Sequence, residues 1–411
     1  MFSGYPDGSS SKKVPHLLPV FPKFFLLTVF LPPVLHLPPA GGTIEGWARR
    51  VRDTRGTIPR RVRNDLSSFR NDYSEGAHPK VLEALTASNL TQTVGYGLDP
   101  FCEEAAGTIR RLCAAPEAAV HFLVGGTQVN LITIAALLRP YEAAIAAQTG
   151  HINVHETGAI ESTGHKVCSV PSPDGKLTPA LVEAVLAEHN GTEHMVLPRL
   201  VYISDTTEIG TIYTKAELTA LRRCCDDHGL FLYLDGARLG SALTAEGNDL
   251  TLPDLASLTD AFTIGGTKNG ALFGEALVLP QPREHFRWHM KQRGAVLAKG
   301  RLLGVQFQAL LTDGLYFDLA RHANTLALRL RDGMTALGVP FPVPSPSNQQ
   351  FPVLPNKVIA ALEEKGYEFE TDHPVGQTHT CVRFVTSWAT PETAVEELLA
   401  DLGQILGRHP A

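Results

Sequence analysis

An α/β fold with a mostly parallel central sheet, followed by a smaller α+β domain, is the architecture this sequence predicts. Three observations predict it. Short apolar runs without polar alternation recur along the chain, the pattern of strands covered on both faces. Stretches with apolar spacings of three and four, opened by Thr or Asp, lie between them. The texture then changes after about Asp313, where one long helical pattern leads into a proline-rich stretch.

"AVHFLV" (119–124) reads as the first buried strand, and Gly125-Gly126-Thr127 joins it to the helical "TQVNLITIAALLRP". "LVYISD" (200–205) is the next strand, followed by the helix of "TKAELTALRRCCDDHG". "LFLYLD" (230–235) and "AFTIGG" (261–266) flank the helix of "TLPDLASLTD". Strands alternating with helices imply crossovers that cover the sheet and make its neighbours parallel. Beyond Asp313, "YFDLARHANTLALRLRDGMTAL" is a long helix, and "VPFPVPSPSNQQFPVL" carries the prolines. A helix, the strand "TCVRFVTSW" (380–388) and a final helix complete the chain. The expected division is a large domain over 66–312 and a small one over 313–411.

Residues 1–65 stand apart and read as an extension, disordered or targeting. "PVFPKFFLLTVFLPPVLHLPPAGG" is apolar, but prolines and Lys23 interrupt it, and its longest clean run, 24–32, is too short for a spanning helix. Lys12-Lys13 before an apolar centre resembles a signal peptide, whereas "ARRVRDTRGTIPRRVRND" resembles an arginine-rich transit sequence. No stable membrane span is expected. A cytoplasmic protein is, with mitochondrial or other targeting by the extension left open.

Composition narrows the function. At 411 residues the chain is long enough for two domains plus an extension. A net charge of -6 and a pI near 6.2 provide no electrostatic reason to bind nucleic acid. Six dispersed cysteines without a CxxC pair read as reduced thiols, and no metal site is indicated.

Ligands of open α/β sheets sit at the carboxyl ends of strands, and several of these ends carry chemistry. Gly125, Gly126 and Thr127 join a strand to a helix start, where amides and a hydroxyl can meet a phosphate. Such turns are common, and this one is neither GxGxxG nor a P-loop. Asp235 ends a wholly apolar strand, so its carboxylate needs compensation: an internal pair with Arg238, a helix cap, or the positive ring nitrogen of pyridoxal phosphate. Lys268, in "GGTKNGALFG", lies one strand further along the same edge. It is either a solvated turn lysine or a desolvated amine able to form a Schiff base. Phosphate cradle, buried acid and lysine in this order make a joint signal.

The body of the chain, roughly 67–400, resembles fold-type I pyridoxal-phosphate enzymes of the threonine aldolase and β-eliminating lyase family, and among them L-threonine aldolases of low specificity. "FRNDYSEGAHPKVLEAL", "YGLDP", "GGTQVNL", "GHINVHETGA", "LDGARLG", "GGTKNGALFGEALV" and "VRFVTSW" carry the resemblance. It implies cleavage of β-hydroxy-α-amino acids such as L-threonine to glycine and an aldehyde. It further implies that Lys268 forms the Schiff base, Asp235 binds the pyridine nitrogen, and Gly125, Gly126, Thr127 and Thr267 hold the phosphate. His151 matches an imidazole stacked on the cofactor, and Arg238 an arginine near the cofactor's phenolic oxygen and the substrate carboxylate. Arg383 matches the arginine gripping that carboxylate, and Tyr96 a tyrosine donated across a dimer interface. A homodimer or homotetramer is implied, to which Arg293 or Lys299 could contribute, unless they form a solvated basic face. The general base is His151, or a water held by His151 or Glu156. Three departures stand out: Thr207 replaces a histidine, Asn71 a serine, and "NGALFG" a glycine-rich run after the lysine. β-Elimination, or a homologue without catalysis, are the other readings.

Overall fold

The computed structural model describes residues 68–189 and 191–408, all within one compact unit. The extension expected over 1–65 lies outside the described residues.

Seven strands form the main sheet: β1 (Ala119–Leu123), β2 (Glu142–Ala147), β3 (Val167–Val170), β4 (Leu197–Ser204), β5 (Phe231–Asp235), β6 (Ala261–Gly265) and β7 (Glu275–Leu279). Their spatial order is β1-β7-β6-β5-β4-β2-β3. β5 pairs parallel with both β4 and β6, while β7 runs antiparallel to β6 and β1, so a single strand is reversed. Side chains alternate between two cores, as a two-residue period requires. Val201, Ile203, Leu232, Leu234, Phe262 and Ile264 pack into one core. Leu200, Tyr202, Tyr233, Ala261 and Leu277 pack into the other, against the helix Gly126–Leu137. Both faces are covered, which is why these strands read as unbroken apolar runs.

The long helix Leu315–Ala336 leads to a small antiparallel sheet built from β8 (Gln349–Gln350), β9 (Val353–Pro355), β10 (Glu370–Val375) and β11 (His379–Val385). A third core gathers here from Leu326, Leu330, Leu354, Val382, Phe384 and Leu398. β11 ends at Val385, short of the expected 388, because Thr386 turns its hydroxyl to Ala323 O (2.7 Å) and Asn348 O.

Candidate active site

The carboxyl ends of β1, β4, β5 and β6 and the start of the reversed β7 border one cavity of about 290 Å³. Asp235 shares the parity of Tyr233, so its side chain turns to the face covered by Gly126–Leu137. Its Oδ2 accepts hydrogen bonds from Asn130 Nδ2 (2.9 Å) and the Tyr202 hydroxyl (2.7 Å), and Oδ1 accepts from Ala237 N (3.0 Å). These donors offset burial of the charge. Burial, then Asp235 itself, pushes both Tyr202 and Tyr233 well above the ordinary tyrosine value, so both phenols stay protonated donors. Arg238 is not the partner of Asp235. It forms a bidentate pair with Asp72, Nε to Oδ2 at 2.7 Å and Nη2 to Oδ1 at 3.0 Å.

Lys268 sits in the turn that reverses β6 into β7, closed by hydrogen bonds from Gly266 N and Thr267 N to Gly274 O (3.0 and 3.1 Å). The small residues preceding it are a packing requirement. A Cβ at Gly265 would strike the backbone of Gly236 and Ala237, and one at Gly266 would meet Gly274 O at 2.7 Å. Their absence lets β5 and β6 close up, bringing Asp235 and Lys268 to the same cavity. The ammonium is not left in bulk water. Burial and then the Arg238 charge lower its pKa, while Asp72, Asp235 and Glu275 oppose them.

Gly125, Gly126 and Thr127 line the same cavity. A Cβ at either glycine would meet nothing within 4 Å, so the protein leaves free space beside the amides that start the helix. His151 also faces the cavity, its Nδ1 2.7 Å from Glu156 Oε1 and its backbone N–H donating to Glu208 Oε1 (2.8 Å). Glu156 is buried, so the group is not a surface cluster. Asn130 Nδ2 also donates to Glu156 Oε1 (2.7 Å), linking the histidine pair to Asp235 through one carboxamide.

Thr267 lines the cavity too, its hydroxyl accepting from Gly274 N (3.0 Å). Other expected residues lie elsewhere within the chain. Asn71 is taken up by its own turn, Oδ1 accepting from Tyr73 N (2.9 Å) and Ser74 Oγ (3.0 Å). Tyr96 is exposed, with Lys291 Nζ 4.7 Å from its ring centre. Arg383 lines an adjoining cavity that shares Glu208 with the first, and its buried Nε has no partner among the described residues. Thr207 bonds to the Thr211 hydroxyl, while its neighbour Thr206 faces the main cavity with a buried hydroxyl that has no partner among the described residues.

Sequence reasoning missed Asn130, Tyr202, Asp72, Glu208 and Glu275. Glu275 carried a legible signal: an acid entering the apolar run "EALVL", the same anomaly that marked Asp235. Burial pushes its carboxyl up to about 7, against a hydrogen bond from Thr267 and the charge of Lys268. Burial likewise raises Glu208, against hydrogen bonds from Ser204 and from backbone amides. Asn130 carried no such signal, being one polar residue in a helix.

The profile of the β-eliminating lyase family matches residues 69–385. The chain belongs to the β-eliminating lyase family. A low specificity L-threonine aldolase of Pseudomonas sp. strain NCIMB 10558 is 32% identical over 82% of this chain and 97% of its own length. The Saccharomyces cerevisiae protein of that name is 26% identical over 72% of this chain and 76% of its own. A solved threonine aldolase of Leishmania major superposes with a TM-score of 0.81 at 50% identity, covering 83% of this chain and 99% of that one. An aspartate aminotransferase of Thermus thermophilus shares the fold alone, with a TM-score of 0.61 at 20% identity. β-Eliminating lyases and their fold-type I neighbours are pyridoxal-phosphate enzymes. The cavity fits that group: a desolvated amine, a buried carboxylate with donors in place, open space over two glycines and an unpartnered Thr206 hydroxyl converge on it.

Proposed function

We propose that this chain is a pyridoxal-phosphate-dependent aldehyde-lyase that cleaves L-threonine, L-allo-threonine and related β-hydroxy-α-amino acids into glycine and an aldehyde. The observation that carries the reading is the cavity in which Lys268, Asp235 and the His151–Glu156 pair meet. The names of its relatives point the same way.

Lys268 would hold the cofactor's aldehyde carbon, Asp235 its ring nitrogen, and Gly125, Gly126, Thr127 and Thr267 its phosphate. When bound, the cofactor supplies an electron sink beside the Cα of the amino acid. Asp235 would meet a positive nitrogen without reorganising, because three donors already orient its carboxylate. Burial favours the neutral amine of Lys268, the state in which it would be able to act as the nucleophile that holds the cofactor. His151 takes the β-hydroxyl proton at Nε2, since hydrogen bonding of Nδ1–H to Glu156 selects that tautomer. Glu156 then stabilises the imidazolium. Arg238, held by Asp72, and Arg383, whose Nε has no partner among the described residues, take the substrate carboxylate, with Asn71 nearby in sequence as a further donor.

Residues 66–312 act as the large domain and 313–411 as the small one in this reading. The active unit is a homodimer or homotetramer in which Tyr96 reaches a neighbouring copy's site. Exposed Leu90, Val94 and Leu98 around Tyr96 support it by offering apolar surface for that contact.

The test is to incubate the purified protein and pyridoxal phosphate with L-threonine and, separately, L-allo-threonine. Equimolar glycine and acetaldehyde are expected, with no turnover by Lys268→Ala. 2-Oxobutanoate and ammonia would replace this reading by β-elimination, and no product from either substrate would remove it.

A further inference from the structure

The charges of three carboxylates act on Lys268: Asp72, and Asp235 and Glu275, which line the same cavity as the lysine. Two are committed. Asp72 is held by Arg238 and by Asn348 Nδ2 (2.9 Å), and Asp235 by Asn130, Tyr202 and the Ala237 amide. Glu275 is the least committed: among the described residues it has neither a cation partner, as Asp72 has, nor the three donors that hold Asp235. It is buried, opens β7 on the parity of Leu277 and Leu279, and so turns to the cavity's face of the sheet. Its Oε2 accepts from Gly266 N (3.1 Å), two residues before the lysine. An apolar side chain would suit that strand better, because a carboxylate there must be desolvated.

We propose that Glu275 is the positioning and proton-holding residue for Lys268: it anchors the turn through Gly266 and takes the ammonium proton when the amine becomes a nucleophile. The inference rests on Lys268 being the residue that captures the cofactor. The proton balance is internal. Lysine ammonium and glutamate carboxylate become amine and carboxylic acid, and the reverse transfer restores both when the lysine is released. The two groups are not in ion-pair contact at rest, so the transfer occurs when the flexible lysine stem swings toward β7. A buried amine beside Arg238 thus loses its proton without waiting for bulk water to reach it. The mutual charge effect between Lys268 and Glu275 is consistent with such an exchange.

The experiment uses the full chain stripped of cofactor, with two readouts across pH. One is the rate of pyridoxal phosphate capture, followed by absorbance. The other is acetic anhydride labelling of Lys268, followed by mass spectrometry. In Glu275→Gln, which keeps an acceptor for Gly266 N–H, the labelling midpoint should move to lower pH, because the anion that stabilised the ammonium is gone. Capture at neutral pH should nonetheless slow about a hundredfold, the low end for a positioned proton acceptor, and added formate should restore part of it. Glu275→Asp should keep the wild-type midpoint and need no formate, and it carries the test if the Gln variant does not fold. A residue that only shaped the turn would slow both reactions together and ignore formate. Capture by Glu275→Gln within twofold of wild type, or an unmoved midpoint, overturns the proposal. Lys268→Ala should capture nothing. Capture by that variant at the wild-type rate would instead overturn the assignment of Lys268, a distinguishable failure.

Discussion

Replacing Asp72 by Asn strips the charge from a pair that anchors one wall of the cavity. The side chains of Asp72 and Arg238 are only 1% and 12% exposed, and the arginine makes both of its described side-chain hydrogen bonds to this carboxylate. An asparagine keeps the shape but has one acceptor oxygen, so its NH₂ must confront a donor from Arg238 or Asn348. Removing one partner of a buried pair costs about 3–5 kcal/mol, because the other charge is left uncompensated. At roughly 2 °C per kcal/mol for a unit of this size, the thermal midpoint should fall by roughly 6–10 °C. The effect has a defined pH window. Burial alone would raise the Asp72 carboxyl, but Arg238 and then Lys268, with hydrogen bonds from Arg238 and Asn348, hold it below its ordinary value. A depressed carboxyl contributes stability above its unfolded value of about 3.9 and loses that contribution as pH falls through the folded value. Thermal denaturation of the cofactor-free proteins should therefore separate wild type from variant at neutral pH and converge in acid. A neutral-pH difference below about 2 °C would show that Arg238 does not depend on Asp72.

His151→Asn should lower cleavage of L-threonine by about 10²–10⁴, the usual contribution of a positioned base, and unchanged turnover would exclude the histidine from proton transfer. Gly125→Ala places a Cβ in free space on extended backbone, so the thermal midpoint without cofactor should hold while pyridoxal phosphate affinity drops about tenfold. A destabilised fold with unchanged affinity would reverse that assignment. Tyr202→Phe removes the 2.7 Å hydrogen bond to Asp235 and should cost about 1.5–3 kcal/mol in denaturation of the cofactor-free chain. Wild-type stability in that variant would mean the carboxylate is satisfied without the phenol.

Legibility followed the chemistry of each segment. β4, β5 and β6 are rich in branched and aromatic residues, and their covered faces leave no polar alternation, so they could be read within a residue or so at most ends. β2, "EAAIAA", escaped because alanine favours no strand, and its burial comes wholly from neighbours on both sides. β7 escaped because it opens on a glutamate after a glycine turn. The acid and the lysine were legible since each interrupts an apolar run, whereas Asn130 and Asp72, on which the site's hydrogen bonds depend, look ordinary in sequence.

By itself, then, the sequence determined the strand–helix alternation, the parallel sheet and the residue types at its carboxyl edge, because these follow from local periodicity and backbone sterics. Only the tertiary structure decided the partners: Arg238 with Asp72 166 positions away, Asn130 with Asp235 105 positions away, and Glu275 folded back to line the cavity of Lys268. Hydrogen bonds and charge interactions depend on distance in space, and spacing along the chain does not encode that distance once β7 reverses and a remote turn lays Asp72 against the site.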